Sequence, residues 1–175
     1  MNGTSSKAVS LAGLAVEYCK AMLACREQEP RHFLREVLRY LPRIYVILMD
    51  TRPYGNDGDP DGGADETGAI YETLTEEQYN EVRDAISAVL GENDMYLDTS
   101  VEDMRYSDTP VAVSLSEQLA DIYQQLADFA ATVSQISSYE MPDAVSELKY
   151  RFDTYLSAVI CSALRAADYT YHHAF

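Results

Sequence analysis

Apolar residues recur along this chain at steps of three and four, the spacing of one face of a helix. Ala8, Leu11, Ala15, Tyr18, Met22 and Cys25 predict a first helix from about Ser6 to Gln28. Pro30 suits the first turn of a second helix, because a first-turn N–H has no helical partner to lose. Phe33, Leu34, Val37, Leu38, Leu41, Ile44, Tyr45 and Leu48 form its apolar face. Pro42 interrupts this run and removes a backbone donor, so a kink or split near Tyr40 is expected. Tyr79, Val82, Ile86, Val89 and Leu90 mark a third helix. Thr75-x-x-Gln78 has the spacing of a capping box at its start, and Gly91 supplies its stop. The fourth helix has the cleanest stripe, Leu119, Ile122, Leu126, Phe129, Val133 and Ile136. Ser114-x-x-Glu117 is again a capping-box spacing. A fifth helix begins near Pro142, with Val145, Leu148, Phe152, Tyr155, Val159 and Ala163 on its face and a weakly capped tail expected to fray.

Two stretches break this rhythm. Residues 50–74 crowd Gly55, Gly58, Gly62, Gly63 and Gly68 with Pro53 and Pro60, and predict a long acidic loop. Residues 92–113 are rich in turn formers, with one short helix expected near Thr99–Arg105 and a turn at Asp108-Thr109-Pro110. No alternating strand pattern stands out. The expected fold is therefore all-α, a single antiparallel bundle of about five helices over residues 1–175. A chain of this length is the size of one domain and buries enough surface to fold without staples.

Charge sharpens the picture. The formal net charge is −16. Between Asp50 and Asp128 lie 20 acidic and 3 basic residues, whereas residues 1–49 hold 4 acidic and 7 basic. An acidic field of this kind repels phosphate backbones and anionic membrane surfaces, so neither nucleic acid nor membrane is an expected partner. It favours a basic protein partner. Cys19, Cys25 and Cys161 are an odd number in apolar helical contexts with no CxxC, and read as buried free thiols. The N-terminus lacks the apolar run of a signal peptide, and no stretch is long and apolar enough to span a membrane. The expected compartment is the cytoplasm.

Candidate chemistry rests on carboxylates. Asp57-x-Asp59-x-Asp61-Gly62 matches the first half of a calcium loop, but its twelfth position is Gly68 where a bidentate Glu belongs. Asp57, Asp59 and Asp61 are weak metal candidates, and no cofactor is expected. Asp94, Asp98, Glu102, Asp103, Asp108, Glu117, Asp121 and Asp128 cluster in sequence, with Tyr71, Tyr96, Tyr106 and Tyr123 nearby. Glu117 serves a cap, and Asp121 lies beside the stripe of the fourth helix, toward solvent. Asp98, Glu102, Asp103, Asp108, Asp121, Tyr96 and Tyr106 remain as the candidate functional surface. They fit a non-enzymatic interaction module, or alternatively a carboxylate-based metal-binding protein or hydrolase. No P-loop, G-x-S-x-G, G-x-G-x-x-G or HExxH is present.

Tyr96-Leu97-Asp98, Val101-Glu102-Asp103-Met104, Tyr106-Ser107-Asp108-x-Pro110 and Ser116-Glu117-x-x-Ala120-Asp121-Ile122-Tyr123-Gln124 form an ordered block of about 35 residues. With Leu41-Pro42 and Ala163-Leu164-Arg165, the block resembles the short bacterial helical proteins of the family named domain of unknown function 5063. The resemblance implies an all-helical cytosolic protein and carries no activity with it.

Overall fold

The computed structural model describes residues 2–52, 69–98 and 109–175. Among the described residues six α-helices appear in chain order: α1 (Asn2–Leu23), α2 (Pro30–Met49), α3 (Glu76–Leu90), α4 (Leu115–Val133), α5 (Met141–Arg151) and α6 (Ser157–His173). A five-residue π turn, Phe152–Leu156, joins α5 to α6 without a break, so five helical rods result. Of the expected irregular loop at 50–74, residues 53–68 lie outside the described residues. So does the short helix expected near Thr99–Arg105.

α1 begins four residues earlier than expected and ends earlier, at Leu23. Pro30 drives Glu29, the residue before it, out of the helical region. Glu29 is extended (φ −63°, ψ 140°), and a 3-10 turn at Cys25–Glu27 fills the gap. α2 runs through Pro42 as one helix, without the predicted split. Leu41 and Ile44 on either side of the proline are fully buried, and this packing outweighs one missing backbone bond. The capping box of α3 forms as expected, with Gln78 N donating to Thr75 Oγ1 and Thr75 N donating to Gln78 Oε1. Gly91 ends α3 at φ +57°, where a side chain would be strained.

A short antiparallel hairpin corrects the helix-only expectation. β1 (Met95–Asp98) pairs with β2 (Val111–Ser114), in the register Met95 to Ser114 and Asp98 to Val111. Its polarity is inverted: Met95 and Leu97 face water while Asp98 is buried.

One buried cluster draws on every helix, with Tyr18, Phe33, Phe129 and Phe152 as its largest side chains. α4 packs against α1, α3 and α6, and α2 lies between α1 and α6. Inside this core the Tyr18 hydroxyl donates to the Leu119 carbonyl at 3.0 Å, joining α1 to α4.

The π turn shifts the phase of the last rod. The sequence stripe placed Tyr155 and Val159 inward; instead Leu156 and Ile160 are fully buried and Tyr155 is 41% exposed. A π turn holds more residues than an α turn, so the inward position arrives one residue later. The Thr154 hydroxyl donates to the Tyr150 carbonyl at 2.9 Å. α6 then stays helical to His173, contrary to the expected fraying. Tyr169 stacks on His173 at 4.4 Å, and Arg31 of α2 lies 5.0 Å from the Tyr171 ring.

Among the described residues no helix is long and apolar enough to cross a membrane.

Candidate functional site

The candidate surface is organised by the hairpin, which sets carboxylates against helix ends. Asp94, just before β1, is 6% exposed. Its Oδ1 accepts from Ser116 N at 2.7 Å. Its Oδ2 accepts from the hydroxyls of Ser87 and Ser116, each at 2.8 Å, and from Ser114 at 3.2 Å. Ser114 Oγ in turn accepts from Glu117 N at 3.3 Å. The N-terminus of α4 is therefore capped by Ser114 together with Asp94, and Glu117, expected to close a capping box, stays exposed. A negative charge is favoured at this end of a helix.

Asp98 sits at the other end of β1, 3% exposed. Ser162 of α6 donates to its Oδ2, and Arg165 Nη2 lies 3.1 Å from its Oδ1. Tyr96, two residues earlier on the strand, donates to Gln118 Oε1 of α4 at 2.6 Å, and its oxygen lies 3.0 Å from Ser162 Oγ. Burial pushes the Tyr96 phenol up. This set ties the hairpin to α4 and α6. The half-exposed Arg165 pairs with Asp98 at the edge of this set.

Asp121 does not face open solvent as expected. It accepts from the Tyr79 hydroxyl of α3 at 2.7 Å. Burial raises the Asp121 pKa, and the Tyr79 bond partly offsets that rise. Burial and the same bond push the Tyr79 phenol well up. The structure thus divides the described candidates, Tyr96 and Asp98 toward α4 and α6, and Asp121 toward α3. Glu102, Asp103, Tyr106 and Asp108 lie outside the described residues, as do Asp57, Asp59 and Asp61. No group of three or more His, Cys, Asp or Glu side chains suited to a metal occurs among the described residues.

Sequence reasoning missed a second set of inward acids. Residues 69–75 cross α4 and α5 as an extended strap, bonded rung by rung. Ile70 N donates to Glu147 Oε2 at 2.9 Å, and Tyr71 N donates to Thr132 Oγ1 at 2.9 Å. Thr73 N and Leu74 N donate to Asp128 Oδ1 at 2.8 and 2.9 Å. The Asp128–Thr132 spacing, four apart beside the apolar stripe, was the available signal for a polar strip of helix that binds something other than water. Beside the strap, a groove of about 610 Å³ is lined by Glu72, Gln125, Glu147, Tyr150, Arg151, Thr154 and Tyr155. Arg151 there donates to Gln125 and Glu147, so the central charges of the groove compensate each other.

The cysteines separate by exposure. Cys25 is buried, Cys19 is half-buried, and Cys161 is exposed on α6, which corrects the reading of all three as buried. Burial pushes the Cys19 thiol up to about 12.

The fold has a solved counterpart. The crystal structure of protein BF1032 from Bacteroides fragilis is similar with a TM-score of 0.73, at 21% identity, over 93% of this chain and 90% of that one. At that identity the likeness is one of fold. No curated protein matches the chain significantly. Helices, hairpin and strap together fall within a single match spanning residues 2–173, and the chain belongs to the family described as a domain of unknown function (DUF5063).

Proposed function

We propose that the chain is a non-enzymatic interaction module that presents an acidic surface to a basic protein partner in the cytoplasm. The observation that carries this reading is a division of labour among carboxylates. Asp94, Asp98, Asp121 and Asp128 are each engaged in hydrogen bonds that hold elements together. Glu72, Glu76, Glu77, Glu81, Asp84, Glu92 and Glu117 are exposed on α3 and its surroundings. Arg83 is the only basic residue between positions 69 and 98, and it pairs with Asp84 at 2.8 Å. The surface therefore keeps a strong negative excess, which accelerates encounter with a cationic patch and disfavours acidic competitors.

The test is capture of partners from native lysate by the protein and by a Glu77→Gln/Glu81→Gln/Asp84→Asn variant. These positions are exposed, so circular dichroism should show an unchanged fold. The reading expects basic proteins to be recovered at low salt and lost both at high salt and in the variant. Equal recovery under all three conditions would refute it.

A further inference from the structure

The groove beside the strap keeps one charge that the fold does not use. It encloses about 610 Å³, a size that suits a bound group. Its floor is a closed set. Arg151 donates to Gln125 Oε1 at 2.8 Å and to Glu147, and the other Glu147 oxygen accepts from Ile70 N at 2.9 Å. Glu72 stands exposed at the rim, with no hydrogen bond or ion pair among the described residues. The lining thus sets two carboxylates against one cation, and that cation is already matched. Tyr71 N and Thr73 N, on either side of Glu72, are bonded to Thr132 and Asp128 of α4. The free carboxylate therefore stands on fixed backbone, which lowers the cost of ordering it around a ligand.

The π turn supplies the aromatic walls. Residues five apart on an α-helix point about 140° apart around its axis. In the π turn the Ser157 N–H bonds back to the Phe152 carbonyl, five residues earlier, and each residue turns through a smaller angle. Tyr150 and Tyr155 are thereby brought toward one side, and both line the groove while remaining exposed. An unbroken α-helix would have sent the second ring elsewhere. Single π turns inside α-helices recur at functional sites.

We propose that this groove seats one lysine or arginine side chain of the basic partner. The inference rests on the interaction reading above and names the place where a cation of that partner is held. A cation between Tyr150 and Tyr155 is attracted by the aromatic rings and reaches the unmatched Glu72. An anion finds no such welcome, because Arg151 is the one cation of the lining and is engaged. A neutral group leaves Glu72 unanswered. Tyrosines in a pocket are also the kind of residue that concentrates binding energy at an interface.

Titration followed by two-dimensional NMR tests it, with end-blocked glycyl-arginyl-glycine, glycyl-lysyl-glycine and the acetyl-lysine form of the latter, at constant ionic strength. The two cationic peptides should shift the Glu72 and Thr154 amides and the Tyr150 and Tyr155 rings saturably, and the acetylated peptide should not, since it lacks the charge. Glu72→Gln and Tyr155→Ala, at exposed positions the fold tolerates, should each weaken binding at least about threefold. Glu81→Gln/Asp84→Asn, outside the groove, should weaken it less. Equal binding of the acetylated peptide would overturn the proposal, as would shifts spread evenly along α3, which report only the general acidic field. Absence of saturable shifts while lysate capture of basic proteins persists would sink the groove and spare the interaction reading. Saturable binding without any captured basic protein would sink the partner and with it the proposed occupant.

Discussion

Replacing Asp94 by alanine tests the claim that the inward carboxylates serve the fold. The change leaves the Ser116 amide without its 2.7 Å acceptor and removes the shared acceptor of three serine hydroxyls. A hydrogen bond to a charged group is worth about 1.5–3 kcal/mol, and an orphaned buried amide costs about 1–3 kcal/mol. Losing a negative charge at the start of α4 adds about 0.3–1 kcal/mol. These terms do not sum, because Ser114 and Ser116 hydroxyls already lie 2.8 Å apart and can satisfy each other. The expected net loss is about 3–4 kcal/mol, the size of a broken buried network. For a chain of this length it corresponds to a fall of about 6–16 °C in Tm. Asp94→Asn keeps an oxygen for the Ser116 amide and offers its own N–H groups to the serines, so it should lose about 1–2 kcal/mol. Urea unfolding followed by helical circular dichroism measures both. A loss below about 1 kcal/mol for the alanine variant, or equal losses for the two variants, would refute the cap assignment.

Three further outcomes follow from the same geometry. Asp128→Ala should cost about 2 kcal/mol and speed amide exchange at Thr73 and Leu74, while protection within α4 persists; unchanged exchange at the strap would contradict its bonding. Asp121 has a raised folded pKa, so its burial favours the protonated form; stability from this group is full below the unfolded value, about 3.9, and declines as pH rises through the folded value. Asp121→Asn removes that decline while leaving Tyr79 an acceptor, so the variant should gain on the parent as pH rises from about 4 to 7, read from urea midpoints; a gap that stays constant with pH would sink the idea. Cys161 should react rapidly with a thiol reagent at pH 8 in the native protein, and Cys19 and Cys25 only on unfolding; prompt release of all three would refute the burial pattern.

The helical framework was legible because burial on one side of a helix writes itself as a three-four repeat. Ala8, Leu11, Ala15, Tyr18, Met22 and Cys25, read as one face, are all buried. The capping box at Thr75 and the stop at Gly91 were legible because each is a local rule with a local partner. The hairpin was not, because four-residue strands give alternation little room and this one turns Asp98 inward and Leu97 outward. The phase was lost at the π turn for Tyr155 and Val159, where nothing in FDTYL announces the extra residue, and Ala163 is again buried as expected. The candidate site was legible only as a list of acids. Whether Asp94 or Asp121 points inward depends on Ser87, Ser116 and Tyr79, partners up to 42 residues away that no spacing rule connects.

The Tyr18 hydroxyl has a consequence for assembly of the bundle. Apolar ridges on two helices can slide by one turn, about 5.4 Å, and still find oily neighbours. After such a slip the buried phenol and the Leu119 carbonyl would no longer meet, and the stranded hydroxyl would cost about 1–3 kcal/mol. Because burial also pushes the Tyr18 phenol well above its usual range, the donor keeps its proton throughout ordinary pH. Tyr18 thus works as a key cut for one lock: it makes the mis-stacked bundle fail rather than making the correct one especially strong. Tyr18→Phe should then leave a stable protein whose helices find more than one alignment.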